Sequence, residues 1–177
     1  MLTNILVVVA ILIIIVLVLA AMKPPTFRIE RSTTINAPAD RVFALINDLH
    51  SWGNWSPWEK VDPSMKRTFS GSPNGVGAVY EWDGNSKAGS GSMKITKSVA
   101  PSAIDINLDF LRPFKASNIA EFRTATTGGA TQVTWAMHGP NQFLGKVVKV
   151  FFNMENMVGK DFERGLTNLK VIAEQQG

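Results

Sequence analysis

The side chains that could do acid–base chemistry lie mostly out of phase with the apolar residues around them. In the strand-like segment 78–83, Tyr80 shares one face with Trp82. The other candidates fall on the opposite faces of their segments, and they are Glu81, Asp83, Asp105, Asp109 and His138. Cyclisation or dehydration needs a positioned base and a donor for the developing oxyanion. We therefore predict no catalytic pair, and Tyr80 is the only candidate acid.

Composition argues against several kinds of site. The sequence has no cysteine and two histidines, so thiol nucleophiles, disulfides and histidine-rich metal centres are not expected. The formal net charge is +4, and no cluster of lysine or arginine is interleaved with aromatic residues, which argues against nucleic-acid binding. We expect no metal, no cofactor and no nucleic-acid partner.

Tryptophans form the strongest local signal. Trp52, Trp55 and Trp58 recur every three residues in a proline-containing loop at 51–63. One interpretation is a mouth for an apolar ligand, because aromatic rings often line such pockets. The other is a plug of core residues that closes one end of a sheet.

Alternation of apolar and polar residues predicts the strands that must position these side chains. The clearest is 104–110, in which Ile104, Ile106, Leu108 and Phe110 share one face. Short glycine-containing links favour antiparallel hairpins. The predicted strands are 27–35, 65–70, 78–83, 90–99, 104–110, 115–126 and 131–138.

Helical patterns precede and follow the six later strands. The segment 36–40 carries a proline suited to a first helical turn, and apolar residues then recur to Leu49. From Asn141 to Leu169 apolar residues recur every three to four positions, which predicts one long helix or two helices broken near Gly159. The order predicts an α+β fold: a curved antiparallel sheet of about six or seven strands wrapped on a long C-terminal helix.

An apolar run opens the chain. Ile5–Met22 contains 18 apolar residues in succession, about 27 Å of helix against a hydrocarbon core of about 30 Å. A secretory signal peptide is the alternative, but it normally has a basic start and a shorter apolar stretch, and residues 1–4 carry no lysine or arginine. We predict a single-pass membrane anchor at residues 1–22, which contacts the membrane through residues 5–22.

Flanking charge predicts the side of the membrane. Lys23, Arg28 and Arg31 follow the apolar run, and no basic side chain precedes it, so the positive-inside rule places the domain on the cytoplasmic side. The linker at 23–26 holds two prolines and spans at most about 14 Å, so the domain at 27–177 stays close to the headgroups.

Several segments resemble the START-like (SRPBCC) superfamily, specifically its bacterial polyketide cyclase/dehydrase and lipid-transport proteins. The resemblance spans residues 27–174 and implies a helix-grip fold, in which most members bind hydrophobic ligands between sheet and long helix and a minority catalyse cyclisation or dehydration. It also favours the plug interpretation of the tryptophans. The segments that carry it are NAPADRVF at 36–43, WGNWSPW at 52–58, GVGAVYEW at 75–82, VTW at 133–135 and GLTNLK at 165–170.

We therefore predict a membrane-anchored binding domain for a hydrophobic small molecule or lipid, with entry between the tryptophan loop and the C-terminal helix. A polyketide cyclase- or dehydratase-like enzyme and a protein-interaction module with a filled core are the alternatives. The residues predicted to contact the ligand are Trp52, Trp55, Trp58, Tyr80, Trp82, Met93, Phe110, Phe122, Trp135, Met137, Met154 and Phe162.

Overall fold

A computed structural model of the chain describes residues 2–141, 145–147, 150 and 153–175. Helix α1 covers Leu2–Ala21, α2 covers Ala39–Asn47, α3 covers Trp52–Trp55 and α4 covers Met154–Gln175. Short 3-10 turns at Leu49–Ser51 and Pro57–Lys60 flank α3, so the predicted tryptophan loop is largely helical. The strands are β1 (Thr26–Ile35), β2 (Lys66–Gly71), β3 (Ala78–Asp83), β4 (Ser90–Val99), β5 (Ala103–Arg112), β6 (Ala116–Thr127) and β7 (Ala130–Pro140).

The seven strands form one antiparallel sheet in the order β1-β7-β6-β5-β4-β3-β2. The predicted antiparallel sheet of about six or seven strands is confirmed. Strand β1 pairs with β7 along its whole length, with Thr26 opposite Pro140 and Ile35 opposite Thr131. We call the end of the sheet at Thr26 the anchor end, because α1 precedes it. The β3–β4 and β5–β6 turns lie at the anchor end, whereas the β2–β3 turn and α2 lie at the opposite, far end.

Helix α4 packs on the concave face of the sheet and runs in the same direction as β1. Arg31 Nε donates to Glu163 Oε1 at 2.7 Å, and Lys170 Nζ donates to the Thr34 carbonyl oxygen at 2.7 Å. Since Thr34 lies toward the far end of β1, α4 begins at the anchor end. Of the two alternatives predicted for 141–169, a break near Gly159 is wrong, because α4 is continuous through that residue. Much of 142–152 lies outside the described residues.

The alternation of β4 is interrupted by an irregularity in its pairing with β5. The register shifts between Ile95 and Lys97. An extra residue in one strand turns the following side chains to the other face. Val99, expected to share the apolar face with Met93, is accordingly 47% exposed, whereas Met93 is buried.

Helix α1 is the predicted apolar run. Within the described residues, Thr3–Ala21 is the one helix long and apolar enough to cross a membrane, and a signal sequence near an N-terminus has the same properties. The linker after it is held by Asn141, whose backbone N–H donates to the Pro25 carbonyl oxygen at 2.6 Å and whose Nδ2 donates to the Pro24 carbonyl oxygen at 3.0 Å.

Candidate functional site

Six aromatic rings fill the middle of the concave face. Trp135 is the centre: its ring stacks on Phe162 at 4.3 Å with an angle of 3°, and on Phe122 at 4.9 Å. Edge-to-face contacts at 5.5 to 6.2 Å join the tryptophans of the 51–63 loop to it. Such contacts stabilise the packing beyond the area they bury. This aromatic cluster consists of Trp52, Trp55, Trp58, Phe122, Trp135 and Phe162.

Backbone carbonyl groups hold the tryptophans of the loop in place. Trp52 Nε1 donates to the Ile46 carbonyl oxygen at 2.9 Å, and Trp55 Nε1 donates to the Leu45 carbonyl oxygen at 3.2 Å. These acceptors lie in the last turn of α2, where carbonyl groups lack partners within the helix. Trp52 and Trp55 are therefore both packed and hydrogen-bonded, which is how core tryptophans are satisfied.

The loop also packs directly on α4. Trp58 lies against Phe162 at 6.0 Å, and Asn168 Nδ2 donates to the Trp55 carbonyl oxygen at 3.0 Å. These contacts fill the space between the tryptophan loop and α4. The contacts favour the plug interpretation for Trp52 and Trp55, whereas Trp58 is 36% exposed, and entry between the loop and α4 stays a prediction.

Trp135 carries a polar atom without a partner in the described part of the chain. Its side chain is 2% exposed, and its Nε1 has no hydrogen-bond acceptor there. A buried donor without an acceptor is costly. The centre of the aromatic cluster therefore offers one hydrogen bond to a ligand oxygen or to water.

Toward the anchor end the concave face becomes progressively more open. Phe27, Leu108 and Phe110 are only partly buried, although they point to the same face as the cluster. One row further in, Ile106 is 0% and Met137 is 9% exposed. Among the described residues, the sheet and α4 therefore form a cup that is filled at its middle and less covered toward the anchor end.

Trp82 lines one wall of this open part. It lies flat on Gly91 of the neighbouring strand, where an added Cβ would be 2.6 Å from Trp82 Cη2. The indole Nε1 donates to the Ala88 carbonyl oxygen at 3.2 Å, and Phe110 meets the ring edge-on at 5.8 Å. Gly91 thus lets the ring lie against the sheet, and Trp82 is half-buried there.

The predicted ligand-contacting residues consequently fall into two groups. The first is the aromatic cluster, which forms the floor of the cup. The second lies between that floor and the anchor end, and consists of Tyr80, Trp82, Met93, Phe110 and Met137. The side chain of Met154 lies outside the described residues.

Tyr80 belongs to a buried polar network that the sequence patterns did not indicate. Its hydroxyl donates to Glu59 Oε1 at 2.6 Å, and Arg67 Nε donates to Glu59 Oε2 at 2.6 Å. Arg67 also donates to the carbonyl oxygens of Glu59 and Met65. Arg67 alternates in phase with Phe69 and lies on the concave face, but nothing local in the sequence identifies Glu59 as its partner.

The protonation of Tyr80 follows from this network. Burial raises the pKa of the phenol, and its hydrogen bond to the Glu59 carboxylate raises it further. The phenol is therefore protonated at neutral pH and donates a hydrogen bond to Glu59. This arrangement is that of a structural hydrogen bond between a strand and the loop that covers it.

The remaining candidate carboxylates, which are Glu81, Asp83, Asp105 and Asp109, lie on the convex face, as their alternation predicted. Asp105 Oδ1 lies 2.6 Å from Arg123 Nη1, and Asp83 is paired with Arg112. His138 Nε2 lies 3.3 Å from Glu121 Oε1, also on the convex face. Within the described residues no group of three or more histidine, aspartate and glutamate side chains is placed to hold a metal ion.

A second depression lies on the convex face at the anchor end. It has a volume of about 850 Å³ and is lined by the first residues of β1 and the last residues of β7, with β5 and β6 beside them. Its arginine, Arg28, is already bonded to Glu30 and Glu121. Asp109 and His138 also line the depression.

Comparison with protein families gives a match over most of the chain. The family described as polyketide cyclase/dehydrase and lipid transport matches residues 26–174, which is the whole sheet and nearly all of α4. The chain belongs to this family. The predicted START-like membership and the helix-grip fold are thereby confirmed. Comparison with curated proteins gives no match.

Solved structures share the fold of this family member at low sequence identity. A protein from Chromobacterium violaceum is 15% identical, with a TM-score of 0.58, and the match covers 86% of this chain and 99% of that one. A major latex-like protein of Panax ginseng is 12% identical, with a TM-score of 0.60 and coverage of 85% and 99%. A di-domain ARO/CYC protein from the steffimycin biosynthetic pathway is 8% identical, with a TM-score of 0.64 and coverage of 85% and 51%.

The polyketide cyclase/dehydrase and lipid transport family has a ligand-binding fold, and the geometry shows which part of that fold is available in this member. The aromatic cluster occupies the middle of the concave face, whereas the rows from Phe27 to Phe110 at the anchor end are only partly covered. The candidate site is therefore the open end of the cup.

Proposed function

We propose that the chain is a membrane-anchored binding domain for a hydrophobic small molecule or lipid, held in the open end of the cup. The observation that carries this proposal is the gradient of burial along the concave face, from Phe110 at the anchor end to the fully buried Phe122 in the cluster. An apolar ligand resting on the cluster covers side chains that the protein alone leaves partly in water. Burial of apolar surface drives binding by about 25 cal/mol per Å².

The walls of the open end suit a ligand of variable shape. Met93 and Met137 lie there, and methionine side chains adapt to irregular apolar surfaces. Polar groups are few: Asn118 lies in the same row as Leu108, and Trp135 Nε1 at the floor has no acceptor in the described part of the chain. This lining fits a mostly apolar molecule with one or two oxygen atoms.

Residues 1–22 hold the domain at the membrane in this proposal, with residues 23–26 as the linker and the domain on the cytoplasmic side. Of the three cations behind that orientation, only Lys23 lies in the linker. Arg28 and Arg31 lie in β1, where they pair with Glu121 and Glu163. All three cations still follow the apolar run in the sequence, and the positive-inside rule depends on this excess of flanking lysine and arginine.

The test is ligand binding by the full chain in detergent, measured by native mass spectrometry and by displacement of a fluorescent fatty acid. Leu108→Arg puts a charge on the open concave face and should weaken binding at least about tenfold, or 1.4 kcal/mol. Asn107→Arg is the matched control, because Asn107 is the preceding residue of the same strand and is exposed on the convex face. Equal affinities of the two variants would refute the cup as the binding site.

An enzyme of the cyclase or dehydratase type is the second candidate, favoured by the hydrogen bond between Tyr80 and the buried Glu59. Such an enzyme would require the phenol to exchange its proton with a substrate bound beside Met93, the residue of β4 that pairs with Tyr80. Loss of turnover in Tyr80→Phe with ligand affinity unchanged would support it. A chain that takes up no fatty acid and carries no passenger would instead indicate a filled-core interaction module.

A further inference from the structure

The turn between β5 and β6 exposes two large apolar side chains. Leu111 is 56% and Phe114 is 63% exposed, and Pro113 lies between them. Single exposed apolar residues are ordinary on protein surfaces. Here two of them lie three residues apart at one tip, beside the exposed Lys115. We call Leu111–Lys115 the hairpin tip.

Strand register places the hairpin tip close to the membrane anchor. Thr26 pairs with Pro140, and His138 pairs with Ile119, so Ser117 is level with the first residue of β1. Phe114 lies three residues beyond that level in the turn, at most about 10 Å away at the rise of a strand. The linker from α1 to Thr26 spans at most about 14 Å. The tip therefore extends from the sheet about as far as the linker does.

The lateral position agrees with this. Strand β6 is separated from β1 only by β7, so it lies about 10 Å from β1 across the sheet. The first turn of α4 is at the same end, since α4 runs parallel to β1, and its Met157 is 57% exposed. Exposed apolar side chains thus occur on two elements around the point where α1 enters the domain.

Charge at the anchor end favours an anionic surface. Lys23 in the linker, Lys87 in the β3–β4 turn and Lys115 in the hairpin tip are all exposed. Within the part of the chain that the structure describes, none of these three lysines forms an ion pair. Asp83 at this end is neutralised by Arg112, and the exposed Glu155 in the first turn of α4 offsets one of the three lysine charges. Unpaired lysines beside apolar side chains are the combination that binds the interface of a bilayer with anionic lipids.

We propose that the anchor end is a second membrane contact, in which Leu111 and Phe114 insert into the headgroup region of the bilayer that holds α1. The hairpin tip then fixes the tilt of the domain, and the open end of the cup faces the lipid surface. The inference rests on the membrane anchor of the proposed function, and it holds whether or not the cup carries a ligand.

The test uses the absence of cysteine in the sequence, which allows a single fluorescent label. Phe114→Cys carries an environment-sensitive NBD group, and the full chain is reconstituted into vesicles of phosphatidylcholine and phosphatidylglycerol that contain a lipid-borne quencher. Val76→Cys is the control, because Val76 is similarly exposed, at 55%, but lies in the β2–β3 turn at the far end. We expect quenching at position 114 to be several-fold stronger than at position 76, and to fall when phosphatidylglycerol is omitted.

Equal quenching at the two positions, or none at either, would overturn the proposal. A second measurement combines Leu111→Ser with Phe114→Ser, which removes both apolar side chains from the hairpin tip. For this measurement the NBD group is attached at Lys115→Cys, with the natural tip and with the doubly substituted tip. The doubly substituted tip should lose the quenching, while the chain still resists alkaline extraction from the vesicles. Persistence of the quenching would also overturn the proposal. Fatty-acid binding by the same samples is measured separately, so a failure of the ligand assay leaves the result for the hairpin tip unchanged.

Discussion

Gly165→Ala tests how closely α4 is fitted to the aromatic cluster. A Cβ added at Gly165 would lie 2.7 Å from Trp135 Cζ3 and 3.1 Å from Pro57 Cδ. Neither neighbour can move easily. Trp135 is fixed between Phe162 and Phe122 by stacking, and the proline ring is rigid. The glycine therefore marks the closest approach of helix and cluster.

Two opposing effects set the size of the change. Replacing a glycine inside a helix by alanine stabilises the helix by about 1 kcal/mol. Forcing an additional methyl group into a well-packed core destabilises the fold by about 1–3 kcal/mol. Because both neighbouring rings are constrained, the steric cost should fall in the upper part of that range. We expect Gly165→Ala to lower the free energy of unfolding by about 1–2 kcal/mol.

Gly53→Ala is the control, since Gly53 lies in α3 and has no atom within 4 Å of an added Cβ. It should leave stability unchanged or raise it by up to about 1 kcal/mol. Urea unfolding of both full-length variants in detergent, followed by tryptophan fluorescence, measures the difference. At about 2–4 °C per kcal/mol, thermal midpoints should also separate by several degrees. If Gly165→Ala were as stable as Gly53→Ala, the packing of α4 on Trp135 would be refuted.

Two further predictions concern the polar groups near the β2–β3 edge. Tyr80→Phe removes a hydrogen bond to the buried Glu59 carboxylate and should destabilise the domain by about 1.5–3 kcal/mol in urea unfolding, with fatty-acid affinity unchanged; an unchanged midpoint would contradict the network. The Ser64 hydroxyl and the Asn85 backbone N–H hold the pKa of Asp62 below its usual 3.8, so its stabilisation is present above that pH and is lost as pH falls through the lower, folded pKa. Acid titration of stability should therefore be less steep below pH 3.8 for Asp62→Asn than for the natural chain, and parallel curves would contradict the assignment.

Local pattern was sufficient for most of the fold. The alternation of 104–110 predicted β5, and Phe122 and Trp135 do face the same side, as directly paired residues of β6 and β7. The sequence patterns failed where pairing is irregular, because the shift at Ile95 reverses the face of the residues after it, including Val99. Such a shift is set by the partner strand and leaves no periodic signal of its own.

The candidate site was harder to predict because it depends on contacts between distant segments. Spacing identified the tryptophans of the 51–63 loop, but only their contacts with Trp135 and Phe162 show that they fill space. Glycine has a low intrinsic helix propensity, yet in the structure the missing side chain of Gly165 admits Trp135. Glu59 lies in a turn without periodicity, so its pairing with Arg67 could not be anticipated.

The hydrogen bonds of Asn141 to the linker limit where this domain can act. Because the carbonyl groups of Pro24 and Pro25 are hydrogen-bonded to Asn141 at the end of β7, the two prolines do not act as a flexible linker. A carrier that shuttles cargo between two membranes must cross an aqueous gap. Under the proposed function the domain would stay with its anchoring helix, and it would extract or present molecules within a single leaflet, so that any acceptor must come to it.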